Sequence, residues 1–307
     1  MKLFPIFLFD FSQSAFSSGR VVAIASLTLV GLCGFGKSVE LSANENLPVA
    51  DIRPATCPIR SQKNIVFQEI DGKQVQADLY RPDSDVELPI VVMIHGGAWM
   101  TGDKWNVVSH ATEMAEAGFL VMAINYRLAP EFPWPAHQVD CQAALSWMAK
   151  HAQEWHGNLD RLGVWGYSAG GHLALMIALE QMPGLPEIKA CVAGGPPCDL
   201  DFIPLKSRLF SSFLGGSREE CPDRYRSASP IHLLTADDPP LFFFHGDQDI
   251  VVPIENSKKM HEKVVEIGIV NEYLEVPNLG HLMTFIDRKA RIGAIAFLKK
   301  HLAPSLP

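Results

Sequence analysis

The chain contains Gly166-Tyr167-Ser168-Ala169-Gly170-Gly171, which fits the pattern G-x-S-x-G. The apolar run Leu162-Gly163-Val164-Trp165 precedes it, and 172–179 follows with good helix formers and no Gly or Pro. The serine is therefore expected at a strand-to-helix corner, the context that pattern needs. Side chains at Gly166 and Gly170 would clash in so sharp a turn, and the hydroxyl would be lifted clear of a sheet at the positive end of a helix. A serine there can also do no more than cap orphan amides, so its partners decide.

A serine hydroxyl is a weak nucleophile until a base takes its proton. That base is normally a histidine held in the right tautomer by a carboxylate. Of eleven histidines, His281 in Asn278-Leu279-Gly280-His281 follows the last expected strand and precedes the last expected helix. That puts it on a loop at the sheet edge expected for Ser168. The other ten fall on expected helices, strand ends and loops; His245 and His95 are among the strand ends. The carboxylate should lie between serine and histidine in the chain. Asp247 and Asp249, in His245-Gly246-Asp247-Gln248-Asp249, both qualify; Asp247 could instead cap the turn.

Acyl transfer also needs donors aimed at a developing oxyanion, and backbone amides suit because they are fixed and do not titrate. Ala169 offers one at a helix start. His95-Gly96-Gly97-Ala98-Trp99 is a glycine-rich turn after an earlier apolar strand. Gly97 and Ala98 are the expected donors there, with Gly96 next. Trp99, Phe132 and Trp134 are candidates for lining an acyl or alcohol pocket.

These groups need a scaffold. Segments 64–70 and 73–80 alternate around Asp71-Gly72, a hairpin signal. Strands are expected at 89–94, 119–125, 161–165, 188–193, 240–244 and 272–276, and helices at 105–117, 136–155, 254–267 and 283–301. The unbroken apolar character of 89–94 suits a strand covered on both faces. This alternation implies an α/β fold with a mostly parallel sheet and helices on both sides. Segment 199–239 breaks the rhythm, with a helical piece near 205–214, and is expected to form a small cap over the sheet's C-terminal edge.

Several stretches together resemble the hormone-sensitive-lipase and bacterial esterase branch of the α/β-hydrolase superfamily, close to the domain named after a bacterial feruloyl esterase. They are Ile94-His95-Gly96-Gly97-Ala98-Trp99, Asn125-Tyr126-Arg127-Leu128-Ala129-Pro130, Gly166-Tyr167-Ser168-Ala169-Gly170-Gly171, His245-Gly246 with Asp249 and Val252-Pro253, and Gly280-His281. The resemblance covers roughly 64–302. It implies an α/β-hydrolase fold with Ser168 as nucleophile, Asp249 as acid and His281 as base. It also implies that Arg127 and Asp140 tie the proline-rich loop to the next helix. Ala98 stands where many lipase-like members have a third glycine. The activity implied is hydrolysis of carboxylic esters, carboxylesterase- or lipase-like, through an acyl-enzyme and with no metal or organic cofactor; export of the chain would suit acyl groups on environmental sugars or other extracellular esters. An aryl-formamide hydrolase would use the same machinery, and a non-catalytic binding module on this fold would lose a triad member.

The chain has 307 residues, 48% of them hydrophobic, and a net charge of −8. That is enough for one large domain of about 64–303 plus an appendage. No basic stripe offers a nucleic-acid surface. Residues 1–48 read as a signal peptide or N-terminal anchor with a polar linker, and 49–63 as further linker. The nearly uncharged run 21–36 is short for a membrane span and suits a signal core, so export or anchoring through this segment is expected. Gly31-Leu32-Cys33-Gly34-Phe35-Gly36-Lys37-Ser38 fits a phosphate-binding P-loop, but polar sequence with two prolines follows where a helix is required. Six cysteines occur, Cys33 in the leader. A Cys198–Cys221 bridge and free thiols are both open readings.

Overall fold

The computed structural model describes residues 57–303, Asp71 excepted. The expected leader, the 31–38 sequence, Cys33 and most of the expected linker lie outside the described residues.

Eight strands form one sheet: β1 (Ile59–Ile70), β2 (Lys73–Pro82), β3 (Leu88–Ile94), β4 (Leu120–Ile124), β5 (Gly157–Tyr167), β6 (Ala190–Gly194), β7 (Leu241–Gly246) and β8 (Asn271–Val276). Their order is β1-β2-β4-β3-β5-β6-β7-β8. β2 is antiparallel to both neighbours, and from β4 to β8 every pairing is parallel. In β3, Ile90, Val92 and Ile94 join one apolar core while Val91 and Met93 join the other. An unbroken apolar strand is what a sheet with two covered faces requires. Helices α1 (Val108–Glu116) and α8 (Arg288–His301) share the second core. Helices α2 (Ala136–His151), α3 (Ala169–Glu180) and α6 (Glu255–Ile267) share the first.

Some boundaries differ from expectation for local reasons. β1 begins at Ile59, inside the stretch read as linker. Asn64 sits at φ 57° beside a register shift, and a bulge there breaks the alternation that would reveal the earlier residues. The last helix is two helices, α7 (His281–Phe285) and α8. Asp287 divides them, its carboxylate accepting the Ala290 amide at 2.9 Å as the cap of α8. His281 is thus the first residue of a short helix rather than a loop residue.

Segment 199–239 lies between β6 and β7 and carries α4 (Arg208–Leu214) and α5 (Pro222–Ser227); sequence reading missed α5. Cys57, Cys141, Cys191, Cys198 and Cys221 are all free thiols. The Cys198 thiol donates to Pro196 O and the Cys221 thiol to Ser217 O, so no 198–221 bridge is formed.

Candidate active site

Ser168 joins β5 to α3 at φ 56°, ψ −123°, a region that a residue with a side chain seldom enters. Close packing holds it there. A Cβ on Gly166 would run into the backbone of Gly170, and one on Gly170 into the carbonyls of Ile94 and His95. The Ser168 amide donates to Gly194 O at 2.7 Å, pinning the corner to the end of β6. The side chain is half-buried.

His281 follows β8 as the first residue of α7. Its Nδ1 lies 2.6 Å from Asp249 Oδ2. Because the partner is a carboxylate, Nδ1 carries the proton. The Tyr167 hydroxyl donates to His281 O at 2.5 Å, so the residue before the serine fixes the histidine's backbone. A Cβ built on Gly195 would lie 3.4 Å from His281 Cε1. The imidazole edge therefore borders 194–195, the segment to which Ser168 is tied. Ser168 Oγ hydrogen-bonds no described residue.

Of the two candidate carboxylates, Asp249 is the one that meets His281. Asp247 accepts the Asn278 amide at 2.6 Å and closes the turn beside it. Asp249 Oδ1 accepts the Val251 and Val252 amides, both at 2.9 Å, and Oδ2 also faces His245 Nε2 at 3.1 Å. Burial alone would raise its pKa, but hydrogen bonds from His245, His281 and the Val252 amide overrule it and hold the carboxyl well below the usual range.

The turn after β3 runs through positive φ at Gly97 (126°), Ala98 (53°) and Trp99 (60°). Gly97 O accepts the amides of Met100 and Thr101, while the amides of Gly97, Ala98 and Ala169 donate to no acceptor among the described residues. Gly96 packs against the serine corner; a Cβ on it would stand 3.3 Å from Ser168 Cβ. The 125–130 stretch anchors the turn. The Tyr126 hydroxyl donates to His95 O at 3.0 Å and the Ala129 amide to Trp99 O at 3.0 Å. Arg127 grips the fully buried carboxylate of Asp140 through Nε and Nη2 and with its own amide, so the loop is bound to α2.

Trp99 and Trp134 do not line an open pocket. They are 2% and 8% exposed and pack beneath the 199–239 segment, against Phe213. Phe132 is half-buried, under the Arg127 guanidinium.

Two histidines matter that sequence reading passed over as a strand end and a helix residue. His245 holds Asp249. His172, wholly buried, accepts from the Trp99 indole N–H at 3.2 Å and donates to Ala228 O at 2.7 Å. The signal for His245 was its place four residues before Asp249, across the turn that ends β7. His172 carried no comparable signal, because its partners, the Trp99 indole and Ala228 O, lie far from it in the chain.

The family model BD-FAE matches residues 77–264, more than half of the chain. The chain belongs to the BD-FAE family. Its fold is the α/β-hydrolase fold. Among curated relatives, it is 32% identical over 251 residues to the probable carboxylic ester hydrolase LipM of Mycobacterium tuberculosis, covering 73% of this chain and 57% of that one. It is 29% identical to the esterase LipC of the same organism, covering 68% and 56%. It is 34% identical over 279 residues to the chloroplastic tuliposide A-converting enzyme 2 of Tulipa gesneriana, covering 79% and 72%. The chain thus spans little more than half the length of the mycobacterial relatives. Among solved structures, a truncated carbohydrate esterase from gut microbiota superposes with TM-score 0.72 at 23% identity, over 81% of this chain and 99% of that one. A Thermogutta terrifontis esterase does so with TM-score 0.67 at 22% identity, over 84% and 96%. In this BD-FAE chain the Ser168 corner follows β5, at the C-terminal edge of the mostly parallel sheet.

Proposed function

We propose that the protein is a serine hydrolase of small carboxylic esters, with Ser168 as nucleophile, His281 as base and Asp249 as its orienting acid. One observation carries the reading. His281 Nδ1–H is committed to Asp249 at 2.6 Å, which leaves Nε2 with a free lone pair at the edge where Ser168 is held in its strained corner. Ser168 Oγ attacks the ester carbonyl as Nε2 takes its proton. The carbonyl oxygen becomes an oxyanion, received by the amides of Ala169, Gly97 and Ala98, with Gly96 behind them. Each such donor is worth about 10²–10³-fold in rate. The imidazolium then protonates the leaving alcohol. Water, deprotonated by the same nitrogen, attacks the acyl-enzyme and releases the acid. Asp249 stays ionised throughout, in keeping with its lowered pKa. No step calls for a metal or organic cofactor.

The activity in the names of the mycobacterial relatives agrees with this. The 199–239 segment acts as a cap, its Phe213 seated on Trp99 beside the oxyanion amides, and shapes the room for the acyl or alcohol group. The uncharged run at 21–36 supports export or anchoring, which cell fractionation with N-terminal sequencing checks.

The test is Ser168→Ala. The variant should fold, lose p-nitrophenyl acetate hydrolysis and escape labelling by a fluorophosphonate probe. Wild-type turnover in the variant refutes the assignment. Hydrolysis of an N-formyl aniline in preference to an acetyl ester moves it to the formamide class.

A further inference from the structure

We propose that His245 is a positioning residue for this reaction, acting through Asp249; the proposal rests on the triad reading above. His245 ends β7 and is wholly buried. Its Nε2 faces two acceptors, Asp249 Oδ2 at 3.1 Å and Val252 O at 2.9 Å, so Nε2 carries a proton shared between them. Its Nδ1 lies 2.6 Å from Ser257 Oγ, a wholly buried hydroxyl on the first turn of α6. The ring is thus fixed at both nitrogens.

A purely structural histidine would be satisfied by the carbonyl of Val252 and the serine. The added bond goes to the very oxygen that takes His281 Nδ1–H. Asp249 therefore has four donors, two amides on Oδ1 and two imidazoles on Oδ2. The carboxylate cannot turn without breaking several of them. Oδ2 stays aimed at His281 while the imidazolium forms and discharges. A second donor on Oδ2 also makes it a weaker base, so the proton remains on His281 rather than passing to the carboxylate. The device runs Ser257, His245, Asp249, His281, and reaches the nucleophile only through the last.

The experiment compares His245→Leu, His245→Gln and Ser257→Ala with wild type. It reads kcat, KM and the acidic limb of the kcat/KM pH profile on p-nitrophenyl acetate. H245L should lower kcat by about 10²-fold, the cost of a small misplacement, with KM within about twofold. Its acidic limb should move to higher pH, because Oδ2, short of one donor, favours the imidazolium. H245Q restores an N–H near Oδ2 and should recover most of kcat and the limb. S257A releases the far end of the ring and should give a smaller change in the same direction. A folded H245L with wild-type kcat and limb overturns the proposal, as does equal loss in H245L and H245Q. Where H245L fails to fold, S257A decides: wild-type kcat and limb there overturn it. Ser168→Ala and His281→Ala run alongside. If those two remain active, the triad reading fails; if they are inactive while H245L is unaltered, only the role of His245 fails.

Discussion

The indole of Trp99 lies flat on the ring of Phe213, with centroids 4.0 Å apart and planes 11° apart. Trp99 directly follows Gly97 and Ala98, the amides proposed to receive the oxyanion, and Phe213 belongs to α4 of the inserted segment. The inserted segment is therefore packed onto the 96–99 turn. Trp134 adds to the joint, its amide donating to Phe213 O at 2.7 Å.

Phe213→Ala empties a fully buried site and should cost about 3–5 kcal/mol of stability, read as a lower urea midpoint at unchanged m-value. It should also lower kcat more than it raises KM, because the 96–99 turn loses its support. A variant with wild-type kcat would show that the turn holds its geometry without the cap.

Asp140 is completely buried and is gripped by Arg127 from three directions. Asp140→Ala leaves a guanidinium that is 10% exposed without its partner. Breaking a buried pair from one side costs about 3–5 kcal/mol. The loss should appear in denaturant unfolding, with the 125–135 loop becoming the first site of limited proteolysis. Equal midpoints for variant and wild type would assign the pair no structural weight.

Much of this arrangement was legible in the sequence because its parts are local. A strand apolar at every position, the Gly166 to Gly170 corner and the glycine turn at 96–97 each carry their reason within a few residues. The family pattern joined distant ones, and the structure brings Asp249 to His281 while giving Asp247 to the Asn278 amide. What stayed hidden depends on contacts that spacing does not encode. The Asn64 bulge masks the start of β1. The Asp287 cap cuts one apolar period into two helices. Trp99 reads as a pocket aromatic until Phe213 is found on it, more than a hundred residues later in the chain. His245 looks like any strand-end histidine until Ser257 and Asp249 close on its two nitrogens.

Gly96 tests the packing of the serine corner. A Cβ there would lie 2.9 Å from Tyr167 O and 3.3 Å from Ser168 Cβ, and backbone cannot swing aside as a long side chain can. Gly96→Ala should push the corner or the turn by a few tenths of an ångström. Catalysis feels such shifts strongly, so kcat should fall about tenfold to a hundredfold, with fluorophosphonate labelling of Ser168 slowed in parallel. Labelling at the wild-type rate would mean the corner yields without harm.

Acid should destabilise the fold through buried neutral histidines. Burial lowers the pKa of His95, His110, His137 and His172 from 6.5 to about 4. In the unfolded chain each takes a proton as pH falls through about 6.5, whereas the folded form refuses it until about 4. The unfolded state then binds more protons, so stability is full above pH 6.5 and is shed between 6.5 and 4. Four groups acting together set a limit of about 5 kcal/mol per pH unit. His172 shows the cause most directly. Its Nδ1 accepts the Trp99 indole N–H, so a second proton would set donor against donor between α3 and the turn after β3. Urea midpoints at pH 7, 6 and 5 should fall progressively. His172→Gln, which can still accept from the indole and donate to Ala228 O, should flatten the slope by one proton. A midpoint unchanged from pH 7 to 5 would mean that these imidazoles titrate as readily in the folded protein as in the unfolded one.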